Sequence, residues 1–145
     1  MLYLDTSVLL VYTLTQSVER VRHAATRVFF AQVKSGALSA ATSFHALHEV
    51  HLFALANAPD QATGAAYGKA ALAQILTLPL QILPLVSRVE RAQHARIFRD
   101  LRDPADVPHA IAAWVAQCEA IVAYDSHFKA IAHLIPYRTP EDFLE

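Results

Sequence analysis

The chain opens on Leu2-Tyr3-Leu4-Asp5, a short apolar run closed by an acid, which has the form of a buried strand. Thr6 or Ser7 then stands where a helix cap belongs, ahead of a short helix over 8–14. Over 18–35 the apolar positions Val21, Ala24, Ala25, Val28, Phe29 and Val33 recur at helical spacing, and Gly36 follows at the C-cap position. A short strand is predicted over 37–40, then a helix opened by Thr42 or Ser43 and stopped after Asn57 by Ala58-Pro59-Asp60. An Ala/Leu-rich helix covers 61–78 and ends at Pro79, and 81–83 reads as an edge strand closed by Pro84.

Ser87 caps a further helix running to about residue 100. The turn Asp103-Pro104-Ala105-Asp106 feeds a helix over 107–119, with Pro108 at a tolerated first-turn position. Residues 120–124 form an apolar strand that again ends in an acid, Asp125. A short helix over 126–133 and a tail over 134–145, with a last strand and a Thr139-capped turn, complete the pattern. Short strands alternating with helices predict an α/β fold built on a small, mainly parallel sheet. Such sheets bind ligands beyond the carboxyl ends of their strands, where Asp5 and Asp125 stand.

A length of 145 residues gives room for one domain, 1–145, and no repeat or linker divides it. With 54% apolar and 17% charged residues, the chain is suited to a packed core and not to a disordered tail. Its longest apolar stretches are interrupted before the roughly 20 residues a membrane span needs, so no membrane partner is expected. Residues 1–14 lack a basic start and carry Asp5, unlike a signal peptide. The single Cys118 fits a reducing, cytoplasmic setting and excludes a disulfide scaffold. A net charge of −1 provides no general basic field for nucleic acid. Only three glycines are present, and neither nucleotide phosphate-loop motif occurs.

The candidate chemistry is acidic. Asp5 and Asp125 end apolar strands, Glu49 lies mid-helix, and Asp106 opens the helix at 107. Taken singly, Asp106 fits a helix cap and Glu49 an exposed helix residue. Asp5 and Asp125 are harder to explain that way, because a buried carboxylate without a partner is costly and no Lys or Arg is local to Asp5. Two carboxylates about 4 Å apart repel by roughly 4 kcal/mol at an effective dielectric near 20, so a shared site takes up protons or a divalent cation. All-oxygen donors suit Mg²⁺ or Mn²⁺, ions that support phosphodiester cleavage.

Four segments carry a family resemblance: Leu2-Tyr3-Leu4-Asp5-Thr6-Ser7-Val8-Leu9-Leu10, the helix around Glu49, Asp103-Pro104-Ala105-Asp106 with His109-Ala110-Ile111-Ala112-Ala113, and Ile121-Val122-Ala123-Tyr124-Asp125-Ser126-His127-Phe128. In this order, and with the ending Tyr137-Arg138-Thr139-Pro140-Glu141-Asp142-Phe143, the chain resembles the PIN-domain nucleases, and in size the toxin half of VapBC-type toxin–antitoxin pairs. The resemblance implies a three-layer PIN fold and a Mg²⁺- or Mn²⁺-dependent endoribonuclease. It also implies a cognate antitoxin and a homodimer, for which the apolar helices before Asn57 offer a surface. It carries Asp5, Glu49, Asp106 and Asp125 over as metal ligands, with Thr6 as a polar helper. Asp103 is a second candidate for the role of Asp106, which the spacing to 110–113 favours. Where relatives often have Thr or Ser two residues before the last acid this chain has Ala123, and Ser126 is the candidate substitute. Arg99, Arg102 and Lys129 flank the acids and are the candidates for holding the RNA backbone. Replacing Asp5 by Asn is expected to stop cleavage and to stabilise the metal-free fold.

Other constellations are weaker. His45, His48 and His51 surround Glu49 but lack the HExxH spacing of a zinc protease, and a three-histidine zinc site is not favoured. His45 falls one turn from Glu49, while His109 and His127 are equally well read as packing residues or as groups that orient a ligand. A haloacid-dehalogenase-type phosphatase needs an acid at position 7, which is Ser7, and a receiver domain needs an acid pair and a late Lys that are not evident. The competing class is a PIN-like RNA- or protein-binding module without catalytic activity.

Overall fold

The computed structural model describes residues 1–144; Glu145, the end of the predicted tail, lies outside the described residues. Five strands form one sheet in the order β3-β2-β1-β4-β5, from β1 (Leu2–Leu4), β2 (Ala40–Ser43), β3 (Gln81–Leu83), β4 (Ala120–Val122) and β5 (Tyr137–Arg138). Every pairing is parallel, with Tyr3 in register with Ala41 on one side and Ile121 on the other. The sheet is thus wholly rather than mainly parallel, and 81–83 is an edge strand as its pattern predicts.

The period-2 alternation of β1 and β4 divides the interior into two cores. Leu2, Leu4, Ala120 and Val122 face helices α1 (Thr6–Thr13), α2 (Arg20–Ser35), α3 (Phe44–Asn57) and α4 (Gln61–Leu76). Tyr3, Ile121 and Ala123 face α6 (Asp106–Val115), with Phe98 and Leu101 following α5 (Arg88–His94). Helices on both faces give the expected three-layer α/β arrangement. No helix among the described residues is long and apolar enough to cross a membrane.

Several boundaries move for identifiable reasons. Gly36 does close α2 in the left-handed region (φ 79°), but Ala37 and Leu38 then bond back to the Gln32 carbonyl. That wrap consumes the predicted strand at 37–40, and β2 begins at Ala40. Ser87 forms a capping box with Glu90, yet α5 ends at His94 and tight turns over 95–101 bury Phe98. Helix α6 stops at Val115, followed by Gln117 at φ 55°, so it is shorter than predicted at its C-terminal end. The segment over 126–133 becomes a 3-10 helix, Ser126–Ile131.

Helix α3 is set by close packing on α4. A Cβ at Gly64 would lie 2.9 Å from the Leu55 Cα, so the two backbones approach as they do only because that side chain is missing. This contact, with the Ser43 cap at its start, fixes the helix that carries His45 and Glu49.

Candidate active site

The carboxyl ends of β1 and β4 lie side by side, with the Asp5 amide donating to the Val122 carbonyl at 3.0 Å. Helix caps take up the acids that follow. Asp5 is the N-cap of α1, its Oδ2 accepting from the Ser7 amide at 2.9 Å and the Ser7 hydroxyl at 2.5 Å. Asp125 caps the 3-10 helix through the His127 amide at 2.8 Å. Asp106, the residue whose position most suggested a cap, is not one: Ala105 holds that place without a side-chain bond. The Asp106 carboxylate is buried, with Oδ2 3.3 Å from His127 Nδ1. Neither Thr6 nor Ser7 caps α1. Ser7 instead links the two strand ends, since its hydroxyl also accepts from the Tyr124 amide at 2.9 Å.

Glu49 projects from α3 into the same region. Its Oε2 accepts from Thr6 Oγ1 at 2.5 Å and pairs with His109 Nε2 at 2.8 Å. His45 Nε2 lies 3.4 Å from its Oε1. His109, only 2% exposed on α6, also stands 3.7 Å from Asp5, and its Nδ1 meets the Tyr3 hydroxyl at 2.7 Å. Tyr3 in turn contacts Ser43 Oγ at 2.7 Å. Burial alone would push Glu49 up, but the hydrogen bonds from His109 and Thr6, with the His45 imidazole close by, outweigh it and hold the carboxyl well below the ordinary range. Burial likewise opposes charge on His109, yet Glu49 and then Asp5 raise its pKa above the usual imidazole value.

Across the cleft the balance reverses. Asp106 is raised to about 6, first by burial and then by repulsion from Asp125, Asp103 and Asp5. His127 Nδ1 lies 3.3 Å from both Asp106 and Asp125, but its ring is 58% exposed and offsets little. Asp5, Asp106 and Asp125 thus face one another electrostatically, with Glu49 joined to Asp5 through His109. Asp103 is exposed and uses one oxygen to accept from the Ala105 amide at 2.8 Å, leaving Asp106 as the inward acid of the pair.

The remaining candidates lie outside this network. The Ser126 side chain is exposed and makes no hydrogen bond with the acids among the described residues; Ser7 provides the hydroxyl beside β4. Arg99, Arg102 and Lys129 are exposed, with Lys129 Nζ 5.6 Å from the centre of the Tyr137 ring. Sequence reasoning missed the bridging role of Ser7 and the support from Tyr3. The phase of β1 is the one available signal for Tyr3, since it turns the phenol away from the core that takes Leu2 and Leu4.

The oxygen donors fit a hard divalent cation. Asp106, raised to about 6 by burial and then by Asp125, Asp103 and Asp5, is an oxygen donor whose charge a cation would offset. Asp106 is a second position at which an Asn substitution is expected to relieve repulsion. At position 5, Asn retains an acceptor for the Ser7 amide and loses the attraction to His109.

The parallel five-stranded sheet flanked by helices is similar in fold to solved VapC toxins. Within that class, VapC20 of Mycobacterium tuberculosis, a toxin that cleaves the sarcin–ricin loop, matches with a TM-score of 0.67 at 18% identity, over 90% of this chain and 95% of its own. VapBC2 from Rickettsia felis, solved bound to a DNA fragment from its promoter, matches with a TM-score of 0.65 at 15% identity, over 96% and 98% respectively. No family model and no curated protein matches the sequence, so the kinship is one of fold.

Proposed function

We propose that this chain is a VapC-type endoribonuclease dependent on Mg²⁺ or Mn²⁺, the toxin of a toxin–antitoxin pair, acting as a single domain in the cytoplasm. The carrying observation is the gathering of Asp5, Glu49, Asp106 and Asp125 at one sheet edge, with Asp106 raised to about 6 by burial and then by repulsion from Asp125, Asp103 and Asp5. The fold shared with a toxin that cleaves the sarcin–ricin loop supports RNA as the substrate. The fold shared with a VapBC complex supports a cognate antitoxin as partner. Phe44 and Leu52, both exposed on α3, offer apolar surface for a homodimer.

In this reading Asp5, Asp106 and Asp125 hold the cation, with Glu49 at its edge. A bound ion activates water and neutralises charge on the leaving oxygen. Ser7 fixes the Asp5 carboxylate against the β4 end, while Thr6 and His109 hold Glu49 ionised and oriented. Arg99, Arg102 and Lys129, exposed and free of acidic partners among the described residues, are placed in the role of phosphate contacts.

The test is incubation of purified protein with cellular RNA in Mg²⁺ or Mn²⁺, beside EDTA and Asp5→Asn controls. Cleavage is expected to stop in EDTA and to fall by about 100-fold or more in the variant, the usual scale for losing a preorganised electrostatic group. Equal cleavage by Asp5→Asn removes that residue from the site. Intact RNA together with no thermal shift in Mn²⁺ leaves the binding module as the reading.

A further inference from the structure

We infer that His45, Glu49 and His109 form a binding site for a transition-metal ion of the Zn²⁺ class, distinct in donor chemistry from the carboxylates around Asp106. One donor atom from each residue lies within 4.8 Å of the other two. The measured edges are 3.4 Å from His45 Nε2 to Glu49 Oε1 and 2.8 Å from His109 Nε2 to Glu49 Oε2. A tetrahedral ion with bonds of about 2.0–2.1 Å sets its ligands about 3.3 Å apart, so small side-chain adjustments satisfy it. Asp5 Oδ1, 3.7 Å from His109 Nε2, stands in reach as a fourth oxygen ligand.

Two features point to a ligand beyond the proximity itself. His45 Nε2 is shielded from solvent and has no hydrogen-bond partner among the described residues, although Glu49 Oε1 lies 3.4 Å away. Behind His109 stands the support that metal-binding imidazoles require. Nδ1–H donating to the Tyr3 hydroxyl, with Tyr3 donating to Ser43 Oγ, holds the ring with Nε2 toward Glu49, where a bound ion takes the place of the Nε2 proton that otherwise bonds the carboxylate. Thr6 Oγ1 donates to the same Glu49 Oε2 that faces His109, leaving Oε1 toward His45. Two imidazoles and one carboxylate favour Zn²⁺ or Co²⁺ over Mg²⁺, whereas the all-oxygen set at Asp106 favours the hard ions. On the nuclease reading proposed above, an ion here takes Glu49 out of the catalytic set, and Zn²⁺ inhibits cleavage supported by Mg²⁺.

The experiment titrates the EDTA-stripped full chain with Co²⁺ and follows its visible absorption, then displaces it with Zn²⁺. No RNA is involved. His45→Ala is the informative variant because His45 is half-buried and its loss leaves the Tyr3–His109–Glu49 chain intact; Glu49→Gln and Asp106→Asn accompany it. The wild type and Asp106→Asn are expected to give intense tetrahedral cobalt absorption. His45→Ala and Glu49→Gln are expected to lose at least about tenfold in Zn²⁺ affinity while keeping the circular dichroism of the wild type. Equal Zn²⁺ affinity in wild type and His45→Ala overturns the site. So does absorption that survives His45→Ala and vanishes in Asp106→Asn. If RNA stays intact with every ion while the cobalt signal depends on His45, the nuclease reading falls and this site stands. Manganese-dependent cleavage without a cobalt signal removes the site alone.

Discussion

On the α3 side of the cleft, Glu49 lies against His109, His45 and Thr6, and its charge is satisfied by the chain itself. On the α6 side, Asp106 faces Asp125, Asp103 and Asp5 with only the exposed His127 between, and its charge is not satisfied. Both acids pay for desolvation, so burial does not separate them. The difference is the partner. A histidine that is 2% exposed concentrates its hydrogen bond and its charge on Glu49, whereas one that is 58% exposed shares its charge with water. Demand for a hard, oxygen-held cation in this cleft is therefore lopsided, strongest at Asp106 and weakest at Glu49, whose imidazole neighbours suit a softer ion.

The largest test of this contrast is His109→Ala. It leaves Glu49 without its main donor and Tyr3 with Ser43 as its remaining partner, and it opens a cavity between α3 and α6. A loss of about 3 kcal/mol in unfolding free energy is expected, as for breaking a buried pair at one partner. Urea denaturation of the EDTA-treated protein measures it. A loss under about 1 kcal/mol means that Glu49 is satisfied by Thr6 and His45 alone.

Asp106→Asn has the opposite sign. Removing the repelled charge is expected to stabilise the metal-free protein by roughly 2 kcal/mol at pH 7.5, the free energy held by a carboxyl displaced about two pH units from its ordinary value and discounted for water at the cleft mouth. The same variant loses most of the stabilisation that Mn²⁺ gives the wild type. Destabilisation in EDTA sets aside the claim that this half of the cleft is strained by its own charge.

The centre of the sheet and the acids at its edge were legible in the sequence because β1 and β4 announce themselves. Leu2-Tyr3-Leu4-Asp5 and Ile121-Val122-Ala123-Tyr124-Asp125 are apolar runs ended by an acid, which local pattern alone specifies. The capping roles were not legible. Asp5 and Asp125 cap their helices while Asp106 does not, and this depends on where the chain turns after each strand. The pairing of His109 with Glu49 joins residues 60 apart through the packing of α6 beside α3, and helical periodicity says nothing of that contact. The strand at Ala40–Ser43 was displaced because backbone bonds from Ala37 and Leu38 extend the end of α2, a local closure that composition does not reveal.

The smallest expected effect is the sharpest on mechanism, because it tests the origin of the stabilisation by Asp106→Asn. A carboxyl raised to about 6 binds its proton more tightly in the folded chain than in the unfolded one. Its contribution is fully present below the ordinary carboxylate pKa near 4 and is lost as pH rises through 6, with a limiting slope of about 1.4 kcal/mol per pH unit. The variant has no such proton, so its advantage should be near zero below pH 4, grow across pH 4–6 and be constant above. Glu49 works the other way. Its carboxyl is held low, so its contribution is present above the ordinary value near 4.5 and fades as pH falls toward the folded pKa. Both proteins share that term, so it cancels in the difference between them. Paired urea titrations in EDTA at pH 4, 5, 6 and 7.5 measure that difference directly. A gap that stays constant across the range assigns the stabilisation to packing or hydrogen bonding by the new amide, and the charge imbalance between the two sides of the cleft is then no longer its cause.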